Sequence, residues 1–457
     1  MLKRIRSLAF GDLGLENAKI RRNGATEARD EQGDDSTMKT AVAAITVAAW
    51  AQDFIQPSVP HLRRPNAHRD RPGALEFIRS WDDTMFQRQM RVERGDFGDI
   101  LEAIAPLIEK NEEMARRSSG SAISPEILLA MTLRLLAGAN YLDLIWYQVS
   151  VDHVWEYVTP VLVAIHNTIN NVTLPSTEAE LDTAMGESKT VSALKYGGLE
   201  VFSGVAAAVD GFVIERTRPT QRELKGQDYR MYLNRAGFFA WVACAMVGAY
   251  CQFFLFELRW PGATNDCTAF EQSAGLAWLH WLAEVGRGVV PGDDAYSSIH
   301  ERLLTPFTKK QLRKARENDM QVYYKMRAFN KCLSSERITV ERAFGILVRR
   351  FGCLWSAFER SEKEAFLMVI VCVKLHNICV HRWRSKNPSR SIPEVPVHCD
   401  VPDDVNTVDE EITERLENKY VGAPRRAKQN SIRLSLCEHI HRCGIEFQRD
   451  GDFLVDF

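Results

Sequence analysis

The chain has 457 residues, of which 45% are hydrophobic and 26% are charged, and these values are ordinary for a globular protein of two or three domains. The formal net charge of -2 excludes a uniformly basic protein, so any surface for nucleic acid has to be a local patch. The ten cysteines include no CxxC pair, and no stretch of about 20 apolar residues is uninterrupted. Together these features argue against a zinc ribbon, a secreted disulfide scaffold and a membrane span, and they favour an intracellular protein.

The first part of the chain divides into an irregular segment and a helical one. Residues 1–75 are poorly patterned and interrupted by four prolines, so we predict a flexible N-terminal segment there. Residues 76–197 have apolar residues at helical spacing, which predicts helices over 77–89, 100–117, 125–137 and 154–169. Ser124 before Pro125 is typical of a helix start, and Gly138 is typical of a helix end.

A short element at 141–147 lies between the last two of these helices. Two short helices across a tight turn, followed by a third helix, predict a helix-turn-helix-like arrangement, which would read DNA. The helix at 154–169 is poor in Lys and Arg, however, which counts against contact with phosphates. Simple packing of three helices therefore stays open as the alternative.

The character of the sequence changes after Gly198. Apolar runs rich in Val, Phe, Trp and Tyr predict strands at 201–214, 238–247, 251–260 and 288–290, with a hairpin turn at 248–250. Helical spacing returns at 329–351 and 364–381. Strands followed by helices predict an α/β domain over 198–385. After it, an acidic and proline-rich linker is predicted over 386–430, and a small C-terminal tail over 431–457.

Three acids in this domain interrupt apolar sequence. Asp210 follows five apolar residues and is expected at the end of a buried strand, and Asp293 follows the strand at 288–290. Glu341 lies in an otherwise apolar helix, one turn after Arg337 and one turn before Gly345. A buried carboxylate is costly unless it is paired or bound to a metal. Gly345 costs about 1 kcal/mol against Ala in a helix, which suggests close approach of another backbone or of a substrate.

Each acid by itself also has a structural explanation. Asp210 could begin a turn with Gly211, Asp293 could cap a helix, and Glu341 could pair with Arg337 or Arg342. As a set, three carboxylates from separate elements suit Mg²⁺ or Mn²⁺, which prefer oxygen ligands. Two such ions can support in-line displacement at phosphorus. No organic cofactor is predicted.

Several short motifs occur in an order that resembles the PIF/Harbinger superfamily of DDE transposases and the harbinger-derived nucleases. The motifs are VDG at 209–211, WPGATND at 260–266, GDDAY at 292–296, LTPF at 304–307, RITVE at 337–341 and LHN at 375–377. The resemblance covers about residues 120–385. It implies an RNase H-like catalytic domain with a mixed sheet flanked by helices, preceded by the all-α helix-turn-helix-like region.

The same resemblance implies a function and a site. The protein is expected to be a metal-dependent DNA endonuclease of the nucleus that cleaves, and can join, DNA phosphodiesters, with Asp210, Asp293 and Glu341 as catalytic metal ligands. Because GDDAY departs from the usual family pattern, Asp294 is an alternative to Asp293. Asp266 is an alternative second ligand or a helix N-cap. A Myb-like DNA-binding partner and a homo-oligomer on DNA are also implied.

Two rival functions stay open. The first is a domesticated, catalytically inactive DNA-binding or scaffold protein derived from a transposase, and the second is a different two-metal phosphohydrolase. Residues 301–350 contain thirteen Lys and Arg against five acids, which would attract phosphates if they formed a patch beside the acids, but would otherwise be a solvated helix face. His376 and Asn377 are expected to be structural.

Overall fold

The computed structural model describes residues 69–109, 123–150, 153–196, 199–202, 204–297, 299–387, 390, 423–443, 445–447 and 453–455. Most of the predicted N-terminal segment 1–75, of the predicted linker 386–430 and of the predicted helical turns at 110–117 lies outside these residues. The described chain from Asp70 onward belongs to one unit.

Six α-helices come first along the described chain. They are α1 (Arg71–Ser80), α2 (Asp83–Met90), α3 (Arg94–Ile108), α4 (Pro125–Leu136), α5 (Val154–Thr168) and α6 (Glu178–Lys195). The single helix predicted over 77–89 is wrong, because the Asp82 side chain accepts a hydrogen bond from the Met85 amide and starts a second helix there. The start of α4 is as predicted, with Ser124 accepting a hydrogen bond from the Ile127 amide.

The element between α4 and α5 is a 3₁₀ helix, Tyr141–Tyr147. Asn140 and Asp143 form a reciprocal capping box at its start. Helix α5 contains no Lys or Arg, and its apolar face is buried. Three consecutive helical elements are therefore present, whereas DNA reading by them stays a prediction.

The central sheet consists of three antiparallel strands in the order β1 (Ala208–Glu215), β2 (Ala240–Val247) and β3 (Phe253–Pro261). Every residue of β2 is buried, because β2 is the middle strand and helices cover both faces. The predicted hairpin joins β2 and β3, and the Gly248 amide donates to the Gln252 carbonyl at 2.9 Å. Between β1 and β2 lie a short helix, α7 (Gln221–Leu224), and a 3₁₀ helix, Tyr229–Tyr232.

A second, parallel pair of strands lies on the other side of β1. Helices α8 (Asp266–Glu271) and α9 (Ala274–Val285) lead to β4 (Val290–Pro291), which pairs with β5 (Leu303–Leu304). A parallel bridge between Val205 and Val289 joins the chain just before β1 to the chain just before β4. The first part of β1, which contains Asp210, and the end of β4, which precedes Asp293, are thereby brought side by side.

The remaining described helices are α10 (Lys309–Asn318), α11 (Met320–Arg350), α12 (Glu362–Lys386) and α13 (Ala423–Arg442), followed by a small hairpin of β6 (Ile445–Phe447) and β7 (Phe453–Val455). Helix α13 begins inside the predicted linker. Among the described helices, only α12 is long and apolar enough to cross a membrane by length and composition, and 67% of its most apolar window is buried inside the protein.

One hydrophobic core runs through both the predicted helical region and the predicted α/β domain. It contains Ile104 of α3, Ile165 of α5, Ala243 of β2, Phe344 of α11 and Val369 of α12. Burial of such side chains contributes about 1.5–3 kcal/mol each. The helices α1 to α5 are therefore packed into the same core that supports the sheet and the acids.

Candidate active site

Asp210 is the third residue of β1, so it lies inside the strand and not at its end as the sequence suggested. Its Oδ1 accepts a hydrogen bond from the Gly211 amide at 2.9 Å, and its Oδ2 accepts one from Arg337 Nη1 at 3.2 Å. The side chain is only 17% exposed. Burial and the nearby charge of Asp293 raise the pKa of Asp210 to about 7, against the opposing effect of Arg337.

Asp293 follows β4 after Gly292. Its side chain accepts a hydrogen bond from the Ala295 amide at 2.9 Å and caps the 3₁₀ helix Asp294–Tyr296. A Cβ atom at Gly292 would lie only 3.2 Å from Val209, so the absence of a side chain lets this turn approach β1 closely. Burial raises the pKa of Asp293 above its usual value, and the positive charge of Arg337 opposes the shift.

Glu341 extends from α11 towards the same point. Its Oε1 forms an ion pair with Arg337 Nη1 at 2.6 Å, and its side chain is 46% exposed. The pairing with Arg337 is the structural alternative that the sequence offered for Glu341. Because the same nitrogen also contacts Asp210, the two carboxylate oxygens lie within about 6 Å of one another, a span that metal ions about 3.5–4 Å apart could share.

The two alternative acids have different surroundings. Asp266 is the first residue of α8, but the helix cap is Asn265, which accepts a hydrogen bond from the Thr268 amide at 2.7 Å. A Cβ at Gly211 would clash with the Asp266 carboxylate, so Asp266 lies directly against β1 beside Asp210. Burial, followed by the charge of Asp293, raises the pKa of Asp266.

Asp294 faces a different charge. Its carboxylate acts electrostatically on Arg433 of α13, where burial lowers the pKa of Arg433 to about 10 and Asp294 opposes that shift. The charge of Asp293, in contrast, raises the pKa of both Asp210 and Asp266. The structure thus brings Asp210, Asp266, Asp293 and Glu341 together, with Asp294 directed towards α13.

Two residues of this cluster were not identified from the sequence as site residues. Arg337 was considered only as a partner of Glu341, and the helical spacing gave no sign that it also contacts Asp210. Tyr296 is completely buried, and its hydroxyl has no hydrogen-bond partner among the described residues. Burial and the charges of Asp266, Asp210 and Asp293 raise the pKa of Tyr296 far above its usual value.

Comparison with known proteins gives one match. Residues 209–377 match the family model described as DDE superfamily endonuclease. This part of the chain is thus similar to a DDE superfamily endonuclease. All of the clustered acids lie within the matched residues, which begin one residue before Asp210 and end at Asn377. No curated protein and no solved structure matches the chain.

The donor atoms of the acid cluster are of the type that a hard divalent ion prefers. DDE nucleases generally use divalent metals, and the clustered side chains offer only carboxylate oxygens, which Mg²⁺ and Mn²⁺ prefer. Arg337 acts on Asp210, Asp293 and Glu341, and Arg235 acts on Asp266, so the cluster has more acids than arginines and negative charge is in excess. Among the described residues, no group of three or more His, Cys, Asp or Glu side chains is close enough to hold a metal ion in the arrangement present, and the Arg337 guanidinium contacts Asp210 within this cluster.

Proposed function

We propose that this protein is a DDE transposase-type endonuclease of the PIF/Harbinger type, which cleaves and can also join DNA phosphodiesters. The observation that carries the proposal is the meeting of Asp210 from β1, Asp293 from the end of β4 and Glu341 from α11 within the matched domain. Acids from three separate elements at one point have little value for stability, because buried like charges destabilise a fold.

We also propose that the catalytic domain is RNase H-like. Its support is the arrangement of the acids, since Asp210 is on the first strand, Asp293 follows the fourth and Glu341 is on a late helix. The mixed strand directions agree with it as well, because β1, β2 and β3 are antiparallel while β4 and β5 are parallel.

The proposed roles follow from the way each acid is held. One carboxylate oxygen of Asp210 and one of Asp293 each accept a hydrogen bond from a backbone amide, which fixes the orientation of the two side chains. Asp210, Asp293 and Glu341 would hold two divalent ions, with Asp266 as a further ligand. When bound, such ions activate a water or a 3′ hydroxyl and stabilise the leaving oxygen in an in-line displacement.

A basic helix supports DNA as the substrate. Helix α10 exposes Lys310, Arg313, Lys314 and Arg316 and has one acid, Glu317. The Phe307 amide donates to Asn330 at 2.7 Å, so the start of α10 lies beside Asn330 of α11. Glu341 is eleven residues further along α11, or about 16 Å at 1.5 Å per residue. This distance is about the length of half a turn of duplex DNA, so one duplex could contact both the start of α10 and Glu341.

The test is nicking of supercoiled plasmid DNA in Mg²⁺ or Mn²⁺. We expect Asp210→Asn and Glu341→Gln to lower the nicking rate by more than about 100-fold, since even outer partners of metal ligands are worth about 10–100-fold. Asp99→Asn is the matched control, because Asp99 is an exposed acid on α3. Nicking that persists in Asp210→Asn would remove the assignment of the site.

Each rival function has its own outcome in the same assay. DNA binding without nicking in either metal would indicate a domesticated, inactive scaffold protein. Turnover of nucleotides or RNA, with no cleavage of DNA, would indicate a different two-metal phosphohydrolase.

Nuclear localisation, a Myb-like DNA-binding partner and a homo-oligomer on DNA are proposals that rest on the resemblance to the PIF/Harbinger family. Sedimentation of the protein with and without duplex DNA tests the oligomer, because a complex with one copy per duplex would contradict it. Imaging of the tagged protein in cells tests the localisation.

A further inference from the structure

Arg337 occupies the centre of the acid cluster. One atom, Nη1, donates to Asp210 Oδ2 at 3.2 Å and forms an ion pair with Glu341 Oε1 at 2.6 Å. Arg337 and Glu341 are one turn apart on α11, whereas Asp210 is 127 residues away in sequence. The guanidinium therefore connects α11 to β1 at the site itself.

The charge of Arg337 opposes repulsion among the acids. Asp210 and Asp293 are partly buried carboxylates on which the positive charge of Arg337 acts, and their closeness is unfavourable without a cation. Asp266 beside them is acted on by Arg235. A divalent cation that bridges Asp210 Oδ2 and Glu341 Oε1 would need the two oxygens that Arg337 contacts and would remove the same repulsion. Arg337 and such a cation cannot both occupy that position.

We propose that Arg337 is a positioning residue that holds Asp210 and Glu341 in the metal-free protein and competes with divalent cations for their oxygens. The inference rests on the proposed function, because it requires these acids to be metal ligands. Binding of metal then requires the guanidinium to leave, and the flexible side chain of a surface-facing arginine, here 24% exposed, allows this without movement of α11.

The direction in which metal affinity changes when Arg337 is removed distinguishes competition with the metal from stabilisation of the site. If Arg337 only stabilised the site, its removal would disorder the acids and weaken metal binding. If it competes, its removal frees the oxygens and strengthens binding. A hydrogen bond between charged groups contributes about 1.5–3 kcal/mol, so we expect metal affinity to rise about tenfold or more.

The experiment measures Mn²⁺ binding by calorimetry to the full-length wild-type protein and to Arg337→Gln. The expected result is a lower dissociation constant for Arg337→Gln, together with a lower melting temperature in EDTA and a larger rise on adding Mn²⁺. The matched control is Arg349→Gln, because Arg349 is an exposed arginine on the same helix and its loss changes the net charge equally. We expect this control to bind Mn²⁺ as the wild type does.

An unchanged or weaker affinity in Arg337→Gln would overturn the inference. If this variant folds only when Mn²⁺ is present, the cation has replaced the arginine, as proposed. If it does not fold in either condition, Arg337→Lys decides, since a lysine ammonium is a compact charge without the planar fork of arginine. We expect Arg337→Lys to bind Mn²⁺ more tightly than the wild type, and equal affinity would overturn the inference.

Asp210→Asn separates this inference from the proposed function. If the wild type binds Mn²⁺ and Asp210→Asn does not, the proposed metal site is supported, whatever the Mn²⁺ affinity of the Arg337 variants. If neither the wild type nor any variant binds Mn²⁺, the metal-dependent function fails, and the inference fails with it.

Discussion

His376 and Asn377 show how single polar side chains are used in the core of this protein. His376 is completely buried, where its Nε2 donates to the Cys251 carbonyl at 2.8 Å and its Nδ1 accepts from Arg350 at 3.2 Å. Asn377 pairs with both the amide and the carbonyl of Phe253. Both side chains hold α12 to the start of β3, so the expectation that they are structural agrees with their contacts.

Burial of His376 predicts loss of stability in acid. Burial and the charge of Arg350 lower the pKa of His376 to about 3. The unfolded chain binds this proton below about pH 6.5, whereas the folded protein does not until about pH 3, so stability is complete above 6.5 and falls as the pH falls. Between pH 6.5 and 5, we expect His376 to lower the free energy of unfolding of the wild type by about 2 kcal/mol, and we expect His376→Gln to lack this decrease. Urea unfolding at each pH measures it.

The control for this prediction is His153→Gln, because His153 is an exposed histidine outside the core. An equal dependence on pH in the wild type and in His376→Gln would contradict the assignment of the shift to His376.

Helix α11 is the element on which the site depends most. Arg337, Glu341 and Gly345 are spaced four residues apart and lie on the same face. The sequence suggested that another backbone or a substrate approaches Gly345. For the backbone this is wrong, since no atom of the described residues lies within 4 Å of a Cβ placed there. The space beside Gly345 is open, as the approach of a substrate would require.

Gly345→Ala should therefore have opposite effects on stability and activity. The added methyl meets no neighbour, so the free energy of unfolding should rise by about 0.5–1 kcal/mol from better helix propensity. The rate of DNA nicking should fall, because the methyl enters the space beside Glu341. Ser334→Ala, at an exposed position of the same helix, controls for helix propensity. Unchanged nicking in Gly345→Ala would show that the space is not used by DNA.

At the scale of the whole molecule, net charge and local charge differ. The protein carries a formal charge of -2, yet α10 has five basic residues among ten. The acids and this basic helix are both held by the long α11, since α10 packs against its first part. A nearly neutral protein can bind DNA in this way, because counterion release depends on the patch that contacts phosphates.

Replacing Lys310, Arg313 and Lys314 together with Gln should weaken DNA binding and reduce its dependence on salt. The slope of log K against log salt should become shallower by about 2–3, since each phosphate contact contributes about 0.9. Fluorescence anisotropy with a duplex at several salt concentrations measures this slope. A control that replaces Arg88, Arg222 and Lys363 removes the same charge from scattered exposed positions. Equal slopes in the two variants would argue against α10 as the DNA-contacting patch.

What the sequence determined by itself is local. The bounds of α4, the hairpin of β2 and β3, and the apolar runs that became β1, β2 and β3 follow from caps, turns and periodicity, which act within a few residues. Asp210, Asp293 and Glu341 stand out because they interrupt apolar sequence, their motifs are given by the family resemblance, and the family match covers all three.

The tertiary structure decided how distant segments meet. It placed Asp210 inside β1, extended one core from α3 to α12, and brought the Arg337 guanidinium to a carboxylate 127 residues earlier in the chain. Periodicity shows which face of an element is buried, but not which other element covers it. Contacts between distant residues depend on the path of the whole chain, so the arginine among the acids became visible only in the folded protein.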